Sequence, residues 1–236
     1  MKNDSVQVKK VILEENLYYD KTIVLKYRIE YPQFFLYKYQ TALNKINLYY
    51  KEKAYEVQRN CVYDLFREAI NLYNYSVLRG YPIRQFEILM TYSVEFNKNC
   101  FLSLYYDRHD YMGGAHGNTV RASDTWNIQS GDRISLCDLF YDNIDCLDYV
   151  LNNIYKQINF QMKYNGNYMY FDNFQKNVIS NFEKDNFYVT ESPNGIIIYY
   201  QLYEIAPYSM GIPEFYMPYN PYAMVKPKCD MKLISS

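Results

Sequence analysis

Glycine and proline are scarce, with eight of each among 236 residues, which excludes collagen-like, linker-like and low-complexity chains. Histidine occurs only twice, at His109 and His116, so a catalytic histidine would have to be one of these. No GxSxG elbow, GxxxxGK[ST] loop, HExxH helix or GxGxxG turn is present, and the common nucleophile, phosphate and zinc motifs are therefore missing. Basic residues show no surplus: 25 Lys and Arg stand against 26 Asp and Glu, a net charge of −1. Nucleic-acid binding needs cations to displace counterions from phosphates, so that class is excluded. No run approaches the ~18 apolar residues of a membrane span. Met1-Lys2-Asn3-Asp4-Ser5 leads into charged residues without the apolar core of a signal peptide. The five cysteines, Cys61, Cys100, Cys137, Cys146 and Cys229, are odd in number and form no CxxC pair. That pattern suggests neither a disulfide framework nor a zinc knuckle. It predicts small buried hydrophobes, in a reducing compartment.

What remains is globular. With 49% hydrophobic and 22% charged residues, the chain can bury a core without staples, as one large domain or two small ones. Tyrosine is abundant at 31 residues. It suits half-buried strands, and it also suits binding faces, where it offers wide contact at low entropy cost.

Hydrophobic periodicity orders the chain. In Thr22–Tyr31 the residues Ile23, Leu25, Tyr27, Ile29 and Tyr31 alternate with Lys26, Arg28 and Glu30, a strand with one wet face. Residues 6–13 form a weaker strand, and Pro32 closes the first. From Tyr37 to Asn74, Ala42, Ile46, Tyr50, Ala54, Cys61, Leu65, Ala69 and Leu72 mark a long amphipathic helix. Gly80-Tyr81-Pro82 ends it. Strands are expected over 86–97, 100–106 and 120–128, with a hairpin turn at Asn97-Lys98-Asn99 and another turn at Gln129–Asp132. Ser135 and Asp138 stand in capping-box positions. Helices follow over 144–163 and 171–182, then strands at 187–190, 196–203 and 215–217. Paired carboxylates such as Asp142 with Asp145 lie in charged, surface-like runs. Without βαβ alternation the fold class is α+β: mainly antiparallel curved sheets, with one long and one shorter helix packed against them.

Two irregular segments interrupt this pattern. Asp107–Gly117 holds both histidines, two aspartates and three glycines within five residues, a clustering that signals unusual torsions or close approach. His116 is expected to be tied to backbone in a tight turn. A recognition role is the alternative, and a metal set of Asp107, His109, Asp110 and His116 is a third. The second segment, Glu204–Pro213, is apolar and carries two prolines, as a rigid binding loop would.

Tyr111-Met112-Gly113-Gly114-Ala115-His116-Gly117-Asn118 resembles the GGAHG signature of the C-terminal domain shared by RsiV-type anti-sigma factors and PdaC-type peptidoglycan deacetylases. Residues 126–132 and 136–140 resemble its D-x-x-T-G and L-x-D-L-F stretches. Phe187–Thr190 and Tyr203–Gly211 resemble its FYLT and YEIAPYxxG pieces. The strand and long helix before them resemble the companion domain, which divides the chain into 1–110 and 111–236 within one continuous fold. The resemblance implies no catalysis here, because in PdaC-type proteins the deacetylase is a separate domain. It also implies no cofactor. In RsiV-type proteins this region binds C-type lysozyme, so the expected partners are a C-type lysozyme or peptidoglycan fragments. The contacts would come from Tyr111, Gly113, Gly114, His116, Pro207, Tyr208, Met210 and Pro213. No counterpart of the family's sigma-binding segment or membrane span is expected in these residues. Cysteine usage points to the cytoplasm, and the resemblance to the cell surface.

Overall fold

The protein is described from a computed structural model, which covers residues 4–166 and 169–229. The class is α+β. A six-stranded sheet has the order β1-β2-β3-β4-β5-β6, from β1 (Gln7–Tyr19), β2 (Thr22–Phe35), β3 (Phe86–Lys98), β4 (Phe101–Tyr111), β5 (Asn118–Asn127) and β6 (Asp132–Arg133). A three-stranded antiparallel sheet is built from β7 (Phe187–Thr190), β8 (Gly195–Tyr199) and β9 (Glu214–Pro218). Contacts divide the chain into two compact units: Val6–Ser93 with Tyr106–Arg121, and residues 94–105 with 122–229 together with 4 and 5. No helix among the described residues is long and apolar enough to cross a membrane.

The first unit follows from the alternation in β2. Leu25, Tyr27, Ile29 and Tyr31 are buried under a helix, while Lys26 pairs with Glu87 at 2.9 Å on the other face. Asp20 and Lys21 both take positive φ, as a two-residue type I′ turn demands, so β1 pairs antiparallel with β2 along its whole length. Strand β1 therefore runs well beyond the expected residue 13. Pro32 does not close β2, which continues to Phe35. The third strand pairs with β2 only along Leu25–Ile29, so Pro32 stands where one side of β2 carries no ladder and a missing N–H is tolerated.

Strands β2 and β3 are parallel, a pairing that needs a long crossover, and the helical run supplies it. Helix α1 (Gln40–Arg59) continues through a π-helical stretch, Asn60–Leu65, into α2 (Phe66–Arg79). The π stretch has a cause in the sequence. Buried Ala42, Ile46, Tyr50 and Ala54 recur every four residues, as do Cys61, Leu65 and Ala69. At 3.6 residues per turn such a stripe drifts by about 40° per step. One extra residue in a π turn brings it back over the sheet. Asn47 clamps the helix to β2, accepting from Phe34 N at 2.7 Å and donating to Phe34 O at 2.9 Å.

The second unit is centred on α3 (Cys146–Tyr164), whose Val150, Ile154 and Ile158 are fully buried among Ile196, Ile198, Phe215 and Met217. Short α4 (Phe174–Ser180) adds Phe174 and Val178. Asp138 reaches back to Ser135 N and Oγ, both at 2.8 Å, so the expected capping box forms and opens a single 3₁₀ turn, Cys137–Leu139. Asp145 is the N-cap of α3: its carboxylate accepts from Leu147 N and Asp148 N at 3.1 Å. The hairpin expected at Asn97-Lys98-Asn99 turns instead at Asn99 and Cys100, both at positive φ. The last long strand stops at Tyr199 rather than residue 203.

The cysteine expectation is overturned. Cys100 is disulfide-bonded to Cys229, and Cys137 to Cys146; Cys61 alone is free and buried. Distance along the chain hid the first pair, since 129 residues separate its members and only the fold brings their Cα atoms to 4.9 Å.

Candidate functional site

The GGAHG turn joins β4 to β5 in the first unit, and its shape is dictated by what presses on it. Gly113 sits at φ +80°, where an added Cβ would lie 2.9 Å from Leu72 of α2. Gly117 is buried, and a Cβ there would be 2.4 Å from the His109 imidazole. The Arg84 guanidinium donates to Gly113 O at 2.9 Å and to Gly114 O at 2.8 Å, pinning the turn from the segment before β3. His116 Nδ1 donates to Gly117 O at 3.0 Å, the backbone tie expected of it. The imidazole itself is exposed, as are Gly114 and Met112, while Tyr111 is half-buried.

The metal set drawn from this stretch does not assemble. Asp107 accepts Nε and Nη2 of Arg121, both at 2.7 Å. Asp110 accepts Arg108 Nε at 2.8 Å, and His109 Nδ1 lies 3.0 Å from Thr119 Oγ1. Each carboxylate is thus held by a guanidinium. Among the described residues, the group of potential ligands that does converge is Asp4, Cys100 and Cys229, whose two sulfurs are already joined.

The second segment belongs to the other unit. Ile205, Ala206 and Pro213 are buried and hold it to the core, and Pro213 O accepts from Tyr200 N at 3.0 Å. Met210 packs half-buried against that core. Between these anchors Tyr203 and Tyr208 lie ring to ring, with centroids 5.6 Å apart and planes tilted by 31°. Tyr203 takes a positive φ of 66° and stays 52% exposed. Glu204 turns back to accept Gln201 N at 2.6 Å, while Asn181 donates to its carbonyl at 2.9 Å. Partial burial, with the nearby Glu183, raises the Glu204 carboxyl above its ordinary range against the pull of the Gln201 N–H. The segment is a braced aromatic step beside a desolvated carboxyl. Of the residues expected for contact here, Tyr208 and Pro207 are half-exposed at its surface, and Pro213 is a buried support. Tyr203 was missed as a contact residue, because its exposure depends on a backbone torsion that its neighbours impose.

A third feature lies in the first unit, beside the π-helical stretch. A depression of about 600 Å³ is lined by Val57, Arg59, Asn60, Tyr63, Tyr106 and Arg108, among others. Arg108 Nη2 donates to Asn60 Oδ1 at 2.9 Å across its floor. Below it the Cys61 thiol, pushed up to about 12 by burial, stays protonated and inert. Only the four-residue spacing of the helix stripe pointed here.

Comparison with known proteins places these features. Residues 19–119 match the family model described as Deacetylase PdaC, and residues 137–220 match that described as Protein of unknown function (DUF3298). No match is found among curated proteins. A crystal structure of a DUF3298 family member from Bacteroides fragilis NCTC 9343 superposes with a TM-score of 0.69 at 16% identity, covering 96% of both chains. A DUF3298 family protein from Pseudomonas aeruginosa PAO1 gives a TM-score of 0.63 at 16% identity, covering 94% of this chain and 95% of that one. Likeness at this identity establishes a shared fold.

Proposed function

We propose that this chain is a non-catalytic recognition domain, akin to the lysozyme-binding region of RsiV-type anti-sigma factors, and that it binds a protein partner through the Tyr203–Tyr208 step. The observation that carries the reading is that stacked pair, half-exposed yet braced by buried Ile205, Ala206 and Pro213. A rigid aromatic anchor loses little entropy on docking, and tyrosines are common binding hot spots. Charge supports a basic partner: between Lys184 and Lys226 the chain holds Asp185, Glu191, Glu204 and Glu214 but no lysine or arginine. Paired cysteines persist in oxidising compartments, which favours a place outside the cytoplasm. Deacetylation, the activity in the name of the matched model, has no assembled acid–base or metal group in the Asp107–His116 stretch to support it.

The test is calorimetric titration of the whole chain with a C-type lysozyme. Binding should weaken at least tenfold, or about 1.4 kcal/mol, in a Tyr203→Ala, Tyr208→Ala double variant. Affinity left intact by that double change, in a protein with unaltered circular dichroism, would sink the reading. His116→Ala, run alongside, reports whether the GGAHG turn contributes.

A second reading is favoured by the tyrosine-lined depression beside the π stretch, which suits a glycan fragment such as a piece of peptidoglycan. Heat with such fragments that disappears in Tyr63→Ala, with none for lysozyme, would select it.

A further inference from the structure

Strand β1 ends the six-stranded sheet. Among the described residues no backbone hydrogen bond leaves its outer edge, along a strand of 13 residues. An unpaired edge of this length invites another strand unless something guards it, and charged side chains are the usual guard. The charges here are not scattered. Their order is Lys9-Lys10-Val11-Ile12-Leu13-Glu14-Glu15, two cations, three apolar residues and two anions.

We propose that this edge is a self-complementary dimer interface, at which β1 of one copy pairs antiparallel with β1 of a second about a two-fold axis at Ile12. A two-fold axis pairs a residue with one whose number completes a constant sum, and faces match only when that sum is even, since successive side chains alternate faces. With a sum of 24, Lys9 faces Glu15 and Lys10 faces Glu14. Val11 faces Leu13, and Ile12 meets its own copy. The two ion pairs are each repeated by symmetry. Sums of 22 and 26 set Lys10 against Ile12 or Asn16, and Glu14 against Val8 or Ile12, losing every pair. Sums of 20 and 28 bring Lys10 onto Lys10 or Glu14 onto Glu14. One register is therefore attractive and its neighbours are empty or repulsive.

The intrachain contacts already present extend this pattern. On the open face Arg28 pairs with Glu14, and Lys10 lies 2.5 Å from Glu30. Joining two copies would give a row of alternating sign, Arg28 and Glu14 of one followed by Lys10 and Glu30 of the other. On the opposite face Tyr27 Oη donates to Glu15 at 2.9 Å and accepts from Gln58 of α1, which holds that carboxylate in line for Lys9. Ile12 is 40% exposed and would be covered at the axis. Opposite charges directly across a strand pair favour pairing, and like charges oppose it.

The experiment is sedimentation equilibrium of the full chain across a wide dilution range, with two charge-reversed variants: Lys9→Glu with Lys10→Glu, and Glu14→Lys with Glu15→Lys. The wild type should dimerise, more weakly at high salt. Each variant alone should associate at least tenfold more weakly. An equimolar mixture should recover dimerisation, because each supplies the charges the other now lacks, and recovery also certifies that both are folded. Hydrogen exchange of the wild type is an independent readout, in which amides of residues 9–15 should gain protection with concentration. A wild type that stays monomeric would overturn the proposal and leave the edge to an extended segment of another protein. A dimer indifferent to the reversals, or β1 amides whose protection does not depend on concentration, would overturn it equally.

Discussion

Gly117 and Gly114 sit three residues apart in the same turn, yet only one of them has a neighbour that forbids a side chain. An alanine Cβ at Gly117 would lie 2.4 Å from the His109 ring, whereas at Gly114 the nearest atom is 3.8 Å away. Gly117→Ala is expected to cost about 1–3 kcal/mol, the usual range for forcing a methyl group into a filled space. Gly114→Ala should stay within about 0.5 kcal/mol of the wild type. Urea denaturation of the two variants measures both. The clustering of glycines in a glycine-poor chain marked this turn from the sequence. Which glycine is indispensable was hidden, because Leu72, Arg84 and His109 reach the turn from three different elements. The same holds for the acidic and imidazole groups around it. Their types suggested a metal set, but Arg108 and Arg121 claim the carboxylates across the strands.

At the scale of elements, helix ends show how local signals become energetic ones. Asp145 satisfies two of the free N–H groups at the start of α3. Asp145→Ala should therefore cost about 1 kcal/mol, and Asp145→Asn much less, in chemical denaturation. The sequence pattern located α3 and most strands because each buries one face, and periods of 3.6 and 2 survive in the order of residues. It erred where a second element intervenes. Strand β1 was cut short because its far half pairs with β2 while exposing both apolar and charged residues, which blurs alternation. Pro32 was taken as a terminator, although the ladder it would break is absent on one side of β2. The π stretch lies in a helix whose stripe was read correctly, but the stripe's drift is corrected only against the sheet.

For the whole molecule the disulfides are the largest departure from expectation. In the chain-entropy picture the Cys100–Cys229 bond, closing a separation of 129 residues, stabilises by about 5 kcal/mol. The Cys137–Cys146 bond, closing nine, is worth roughly half of that, about 2.6 kcal/mol. Reductant should therefore lower the unfolding midpoint in urea, and Cys100→Ser should lower it more than Cys137→Ser does under oxidising conditions. Equal losses would mean that native-state packing around the sulfurs, not loop closure, dominates.

The linear order of residues determined the class of this protein, its run of elements and the two irregular segments between them, since each is an effect of neighbours within a few positions. It also carried the charge order of β1. Tertiary structure alone decided which cysteines pair, which glycines cannot be replaced, where the π turn falls and which tyrosines stand clear of the core. Those depend on groups tens of residues apart, and their meeting is settled by packing and exclusion of water from the whole, for which local sequence holds no sign.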